Sequence, residues 1–376
     1  MPGAAGLAAL IEGDDTKAYP GYHELSPTDT VGYVRWLARN VAPEANVLAR
    51  GAKILRALSQ SGQMMEGGKQ LCELAVSMAA KFGLSEGVQN NLKYLDEPWD
   101  GKKSKFGVRG SFLPIGARVV TLAQVIYLIS ATRGPEAAQE MVRERRGKSF
   151  DPQVVDACLE LSQDPSFWET LEQESLADTV KAMEPETAYS YTSEDRLDDI
   201  CAAFAEFIDM KSPFTATHSR GVALVAEGLA KKLGLSQEEL IVAKRAGLLH
   251  DMGKVSVPNT ILDKKGKLSE KEWERMRLHP YYSERILTKV GVFRPLAAIA
   301  GAHHEWMNGN GYFRQLQGGQ LSKVAHVISV ADMFQALSEE RPYRPALPTE
   351  QILEIMERET GPHLCAECVG ALKAML

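Results

Sequence analysis

Five of the eight histidines in this 376-residue chain fall between residues 218 and 304: His218, His250, His279, His303 and His304. Asp251 follows His250 directly, and Asp332 lies a little beyond the last of them. A single inward histidine is ordinarily a hydrogen-bonded core residue, and a single buried aspartate ordinarily caps a helix. Together, five imidazoles and two carboxylates on the inner faces or ends of successive helices are harder to satisfy. Burying that many polar groups without strong partners costs on the order of several kcal/mol each. Metal ions satisfy them at once. Imidazole and carboxylate donors without thiolate suit iron or manganese, and zinc less well. Seven ligands exceed what one ion takes and match two ions sharing a carboxylate.

The elements that must position these residues read as helices. His218 shares a stripe with Val222, Val225 and Leu229, so it faces a core. His250 and Asp251 close an apolar helix that starts at Ser236, where Glu239 completes a capping box, and Gly253 ends it. A second capping box pairs Ser269 with Glu272. His279 precedes Pro280, as a helix N-cap precedes a proline at the first position. His303 and His304 follow the apolar segment Leu296–Ala302, and the inward stripe of Val324, Ile328 and Ala331 carries Asp332. Helical spacing dominates, and no stretch shows the sustained alternation of a strand, which predicts an all-α protein. The polar stretch EPETAYSYTSEDR (184–196) separates two helix-rich halves and places a join near residue 190.

Composition narrows the function classes. A chain of this length favours two domains, and 44% hydrophobic with 24% charged residues is ordinary globular composition. The net charge of −6 argues against a nucleic-acid polymer as partner, so an anionic substrate needs a local cluster of Lys and Arg. Five scattered cysteines fit a reducing compartment, and the lone CxxC of Cys365 and Cys368 is helical spacing rather than a zinc or redox motif. The N-terminal stretch has no basic region ahead of an apolar one, and the apolar run Val119–Ala131 is too short for a bilayer. A cytoplasmic protein without membrane association is expected.

Taken in order, these residues resemble the HD-GYP family of metal-dependent phosphohydrolases. The resemblance rests on His218, LLHDMGKVSVPNTIL, RLHPYYSERIL, His303–His304–Glu305, the Gly-Tyr of NGNGYF, VADMFQAL and RPYRPAL (341–347), and covers about residues 200–376. It implies a helical HD-domain bundle that hydrolyses cyclic di-GMP. Asp251 would bridge two metals; His218, His250 and Asp332 would complete one site, and His279, His303 and His304 the other. The implied chemistry is attack on phosphorus by a hydroxide bridging two divalent ions, iron or alternatively manganese. Asp251 and Lys254 would be catalytic, with Lys254 on the scissile phosphate. Arg341 and Arg344 fall at guanine- and phosphate-binding positions, and Tyr312 would stack on a base or bond a phosphate. Whether a second copy or a signalling protein also binds is left open.

Several positions depart from the family pattern. Trp306 replaces an Arg, Asn308 an Asp and Phe313 a Pro in the loop; His326 stands for an Arg and Gln335 for an Asp. Losing the Arg and the Asp together leaves neither buried and unpaired. These changes keep a second reading alive, a metal-stabilised cyclic di-GMP sensor or scaffold with weak or lost turnover. Hydrolysis of another nucleotide is a third. Phe214 occupies the position where three-metal members carry a Glu, which predicts two metals.

The N-terminal half echoes the C-terminal one. At an offset of 208, Glu97, Gly101, Gly110, Leu113, Ala117, Val119 and Ala123 fall on Glu305, Gly309, Gly318, Leu321, Ala325, Val327 and Ala331. RRGKSFDPQVVDACL (145–159) likewise parallels ETGPHLCAECVGALK near the C-terminus. The ligands do not echo: Leu71 stands for His279, Leu95 and Asp96 for the histidine pair, and Gln124 for Asp332. Residues 1–190 are therefore expected to be a degenerate, metal-free HD-GYP-like copy, and 191–376 the catalytic domain.

Overall fold

The computed structural model describes residues 11–376 apart from 12, 15–16, 19–20, 23–24, 26–28, 44, 60, 174, 184–192, 213–216 and 342–343, and apart from the side chains of 61–65, 67 and 177. The described residues form helices and turns, with no strand among them, so the all-α expectation holds. Contacts divide the chain into two units, Ala9–Ser193 and Glu194–Leu376. The expected join near residue 190 lies outside the described residues, beside that division.

The N-terminal unit runs through α1 (Thr30–Asn40), α2 (Val47–Ser59), α3 (Ser61–Lys81), α4 (Glu86–Lys93), α5 (Ile115–Arg133), α6 (Pro135–Glu144), α7 (Pro152–Leu161), α8 (Pro165–Glu172) and α9 (Leu176–Ala182). Its helix starts are written locally. The side chains of Asp29, Ser85, Asp151 and Asp164 accept from first-turn amides, and α6, α7 and α8 begin with proline. Leu122, Ile126 and Ile129 of α5 pack with Ala138 and Val142 of α6 and with Phe150 and Val155. Helix α5 outruns the apolar run read from sequence, because it continues through Arg118 and Thr132. At 19 residues and mean hydropathy 1.5 it is long and apolar enough to cross a membrane by length and composition.

The C-terminal unit contains α10 (Glu194–Asp209), α11 (His218–Lys232), α12 (Gln237–Leu249), a 3-10 turn (Met252–Ser256), α13 (Asn259–Leu262), α14 (Glu270–Met276), α15 (His279–Thr288), α16 (Arg294–Ala300), α17 (Lys323–Ser338), α18 (Thr349–Glu359) and α19 (Ala366–Lys373). Helix α17 is its centre, packed by α11, α12, α16, α18 and α19. Val222, Leu229, Ala246, Val327, Ile328 and Leu372 meet there in one buried cluster. Close approach of α11 and α12 needs Gly247, since a Cβ there would sit 2.9 Å from the Ala223 Cα. Both expected capping boxes are present, Ser236 with Glu239 and Ser269 with Glu272. Helix α15 starts one residue earlier than its proline signals. His279 is its first residue and Leu278 its cap, because the Tyr282 amide closes the first turn on the Leu278 carbonyl.

Backbone geometry repeats between the units. Helices α5 and α17 start 208 residues apart, and each follows a three-residue 3-10 turn, Gly110–Phe112 or Gly318–Gln320. Gly101 (φ +74°) donates to Pro98, and Gly309 (φ +79°) to Trp306, both at 3.0 Å. The loop ahead docks on a later turn in both units: Trp99 and Asp100 donate to Ser149 and Lys148, and Met307 and Asn308 to His363 and Pro362. Those receiving turns carry matching bridges, Arg146 with Phe150 and Thr360 with Leu364.

Candidate metal centre

Helix ends deliver the site. His218 opens α11, His250 and Asp251 follow the last turn of α12, His279 opens α15, His303 and His304 follow α16, and Asp332 sits within α17. His218, His250, His279, His303 and Asp251 are all at most 3% exposed, which removes water as their partner. Asp251 divides its carboxylate between two groups. Its Oδ2 lies 3.7 Å from His218 Nε2 and 3.3 Å from His250 Nε2, while Oδ1 lies 3.3 Å from His279 Nε2 and 3.8 Å from His303 Nε2. Asp332 closes the far side, with Oδ1 3.1 Å from His218 Nε2 and 3.7 Å from His250 Nε2, and Oδ2 4.0 Å from His304 Nε2. Ligand atoms gather within 4.8 Å of one another in the triples His218–His250–Asp332 and His279–His303–His304, with a third triple, His250–Asp251–His303, spanning the two.

The outward nitrogens are already engaged. His250, His279 and His303 place Nδ1 2.7, 2.7 and 2.6 Å from the carbonyls of Gly247, Met276 and Ala300, each three residues earlier. His218 Nδ1 lies 3.0 Å from Glu339 Oε2. With Nδ1–H donating outward, each Nε2 lone pair points into the site, the tautomer a metal ligand needs. His250 Nε2 is buried and makes no hydrogen bond. His279 and His303 bring their Nε2 atoms to 3.1 Å, two acceptors facing one gap. An orphaned acceptor and opposed lone pairs fit cations between them, so these residues fit a pair of metal ions.

Titration behaviour has the same origin. Burial works to raise Asp251, but the charges of His250 and Lys254 hold it well below the ordinary carboxylate range. Burial likewise opposes ionisation of Asp332, and the His218 hydrogen bond with His250 and His304 outweighs it. Burial first, then the neighbouring imidazoles, push His303 well below its ordinary value. His218 goes the other way, to about 9: burial opposes its charge, but the hydrogen bonds its ring donates to the Asp332 and Glu339 carboxylates win.

The other expected residues are placed unevenly around this centre. Lys254, in the 3-10 turn after Asp251, sets its ammonium on Asp251 Oδ2. The Tyr312 ring lies over His304 at 4.5 Å between centroids and edge-on to His279 at 6.4 Å, with the Arg277 guanidinium 5.8 Å above it. Arg341 reaches Glu339 Oε2 at 3.2 Å, the oxygen that also receives His218. Arg344 instead donates to the carbonyls of Ala336, Leu337, Glu339 and Pro345, closing the end of α17. Phe214 lies outside the described residues.

Sequence reasoning passed over the residues that hold the ligands. Ser283 accepts from the Gly253 amide at 2.8 Å and donates to the His250 carbonyl at 2.5 Å, tying α15 to the His–Asp turn. Gly253 must be glycine there, because a Cβ would meet the His279 carbonyl at 1.9 Å. Asp209 accepts from the Ser219 amide and hydroxyl, which sets the start of α11 beside His218. Glu305, 2% exposed, accepts from the Arg314 and Leu316 amides, each at 3.0 Å, and so folds the glycine-rich loop back over His304. Glu305 in HHE and Ser283 in HPYYSE were visible as residues, but their partners are amides no side-chain pattern reveals.

Known proteins are similar to this chain in sequence and architecture. An HD domain family matches residues 202–366. A Vibrio cholerae protein named 3′3′-cGAMP-specific phosphodiesterase 3 is 38% identical over 305 residues, 81% of this chain and 66% of its own length. A cyclic di-GMP phosphodiesterase response regulator of Xanthomonas campestris is 34% identical over 186 residues, 48% of this chain and 48% of its own length. The crystal structure of a cyclic GMP-AMP-specific phosphodiesterase of V. cholerae superposes with a TM-score of 0.64 at 33% identity, covering 93% of this chain and 81% of that one. The chain belongs to the HD-GYP family. It spans just under two thirds of the first relative's length and about half of the second's.

Against the HD-GYP pattern, the altered loop finds new packing. Trp306 stacks on His363 at 4.0 Å and 31°, so the loop is held to the turn before α19 by two rings. The Asn308 side chain accepts from the Asn310 amide. Phe313 packs edge-on against Tyr281 at 5.6 Å. Gln335 donates to Glu339 Oε1 at 2.8 Å, and His326 Nε2 lies 3.0 Å from the Gly318 carbonyl.

Proposed function

We propose that the C-terminal unit is a metal-dependent phosphodiesterase that opens a cyclic dinucleotide. The observation that carries this reading is the division of Asp251, one carboxylate oxygen toward each imidazole group, with the Nδ1 atoms of His218, His250, His279 and His303 engaged elsewhere. Two divalent ions, iron or manganese by donor type, would be held by His218, His250 and Asp332 on one side and His279, His303 and His304 on the other, with Asp251 shared. When bound they would supply Lewis acidity for the phosphoryl group and lower the pKa of an attacking water.

The chain's own residues do the rest. Lys254 holds a cation at the rim, placed to meet charge that develops on a phosphoryl oxygen. Tyr312, seated on His304, offers an aromatic face and a hydroxyl at the mouth. Arg341 acts on His218 through Glu339, so it orients a ligand as well as adding positive potential. The donors of Arg344 are spent on carbonyls, which favours a positioning role for it over direct contact with nucleotide.

The substrate reading widens from cyclic di-GMP to cyclic dinucleotides generally. A relative aligned over 81% of this chain is named for 3′3′-cGAMP, and one aligned over 48% of it for cyclic di-GMP. Incubating the full chain, reconstituted with ferrous iron or manganese, with each dinucleotide decides the matter. Linear dinucleotide or mononucleotide products are expected; saturable binding without product would replace this reading with the sensor one, to which the repacked loop already lends support. Arg341→Ala should keep the metals while weakening nucleotide binding by about 1–2 kcal/mol, checked by calorimetry; unchanged affinity would remove it from the site.

We further propose that the N-terminal unit is a metal-free counterpart of the catalytic one, with Leu71, Leu95 and Gln124 at ligand positions.

A further inference from the structure

At the mouth of the metal centre the Arg277 guanidinium, at the end of α14, lies 5.8 Å from the centroid of the Tyr312 ring. Its counterpart at the offset of 208 is Lys69 on α3, and Lys69 repeats the contact. Its ammonium lies 6.0 Å from the centroid of Phe106, two residues past Ser104, the counterpart of Tyr312. A second cation joins it. Lys93, the last residue of α4, sets its ammonium 5.7 Å from the same ring and 5.3 Å from Tyr94, whose ring meets Phe106 edge-on at 5.7 Å. Lys69, Lys93, Tyr94 and Phe106 are all half-buried.

The loop that carries Phe106 departs from its counterpart in charge. Residues 101–110, GKKSKFGVRG, hold four cations and no acid, whereas 309–318, GNGYFRQLQG, hold Arg314 alone. In a chain of net charge −6 this is a local Lys and Arg cluster of the kind an anionic ligand requires. Lys105 carries the charge inward. Its ammonium donates to the Leu95 carbonyl and lies 3.6 Å from Cys72 Sγ, so a lysine cation sits among segments that in the C-terminal unit present imidazoles. The acids nearby are engaged. Glu97 is buried and accepts from the Ser104 hydroxyl and the Lys105 amide, and Asp100 lies 3.4 Å from the Lys102 ammonium. Among the described residues Lys69, Lys93 and Lys105 form no ion pair. Holding ammoniums half-buried on rings without a carboxylate costs solvation, and a bound phosphate returns it.

We propose that Lys69, Lys93 and Phe106, with Tyr94 and Lys105, form a second nucleotide site, which holds a cyclic dinucleotide without metal and without cleaving it. The ammonium groups meet the phosphodiesters as point charges, and the rings supply stacking surface for a base. Leu71, Leu95 and Gln124 stand at the ligand positions, so no ion is held there to activate a water, and the nucleotide is kept rather than turned over. The site rests on the counterpart reading of the N-terminal unit, and its ligand class on the substrate reading of the C-terminal one. A unit so equipped measures the dinucleotide that the other consumes.

Calorimetry on the full chain stripped of metal by a chelator separates this site from the metal centre, with cyclic di-GMP and 3′3′-cGAMP as probes. At least one of the two should bind saturably, and amide exchange should slow across residues 93–110. Lys69→Ala should weaken that binding roughly tenfold and Lys93→Glu roughly 100-fold, with helix content and metal uptake unchanged. Phe106→Leu should weaken it about tenfold by removing the stacking ring. No binding to the chelated chain, protection confined to residues 303–314, or affinity insensitive to Lys93→Glu would each overturn the proposal. So would equal displacement by pyrophosphate, which would reduce the site to a general anion patch. The two readings fail separately. Binding here without product from the reloaded chain would remove the phosphodiesterase reading alone, and product without binding here would remove this one.

Discussion

Residues 95–113 and 303–321 trace the same path with opposite contents. Each begins at the end of a short helix, turns at a left-handed glycine, passes a 3-10 turn and enters a long helix. Each is organised by one buried glutamate. Glu97 accepts from the Lys105 amide and the Ser104 hydroxyl, Glu305 from the Arg314 and Leu316 amides. Where the second loop starts with His303 and His304, the first starts with Leu95 and Asp96, and the Lys105 ammonium donates to the Leu95 carbonyl at 2.9 Å. That ammonium also lies 3.6 Å from Cys72 Sγ, next to Leu71, the counterpart of His279. The difference teaches that the loop is held by a carboxylate and a glycine, independently of any ligand. One unit looks outside itself for positive charge, and the other carries it on a lysine.

The sharpest way to break this comparison is to remove the shared carboxylate. Asp251→Ala should cost the chain both metals and a large part of the C-terminal unit's stability, whereas Asp96→Ala should change neither. Elemental analysis showing two ions retained in the first variant would refute the bridging assignment. Removing the two glutamates comes next. Glu97→Ala and Glu305→Ala should each destabilise their own unit by about 3 kcal/mol, since buried donors lose their acceptors. Only the second should also lower turnover, by roughly 100-fold, through a misplaced Tyr312. Hydrogen exchange assigns the loss to a unit; equal effects on turnover would erase the distinction.

Smaller effects sharpen the comparison further. Gly309→Ala should cost about 1–2 kcal/mol from its left-handed backbone. Gly101→Ala should cost more, because its Cβ would also lie 2.8 Å from the Arg109 Cβ. Reversed order in denaturant titrations would show that the loops differ in more than their ligands. The smallest effect is a pH dependence of the chelated protein. His218 titrates near 9 when folded against an ordinary 6.5, so its contribution is complete below 6.5 and is lost as pH rises through 9. Exchange protection in the C-terminal unit should fall across that window, and a flat profile would remove the Asp332–His218–Glu339 contact from the account.

Residue type and helical spacing made the candidate histidine and aspartate cluster legible, because an inward histidine is conspicuous on an apolar stripe. The capping boxes at Ser236 and Ser269 were legible for a similar reason, both halves lying within four residues. The tandem offset was visible at Glu97 and Glu305, though not what those carboxylates bind. What stayed hidden depends on long-range partners. Glu339 meets His218 across 121 residues, and Arg344 donates to the carbonyls at the end of α17. The exposure of Val119 and Val120 on α5 was invisible for another reason: these residues have the same character as the buried Val327 and Ile328 of α17, and only the neighbours differ.

The carbonyls three residues ahead of His250, His279 and His303 have one more consequence, for the order of events in the life of the molecule. Contacts so short in sequence form as soon as the preceding turn forms, with no ion to template them. A newly made chain therefore presents these three imidazoles already aimed, so that metal loading would be a late step taken by a finished fold. Which divalent ion is taken up would then depend on what the surroundings supply at that moment as well as on the donor set.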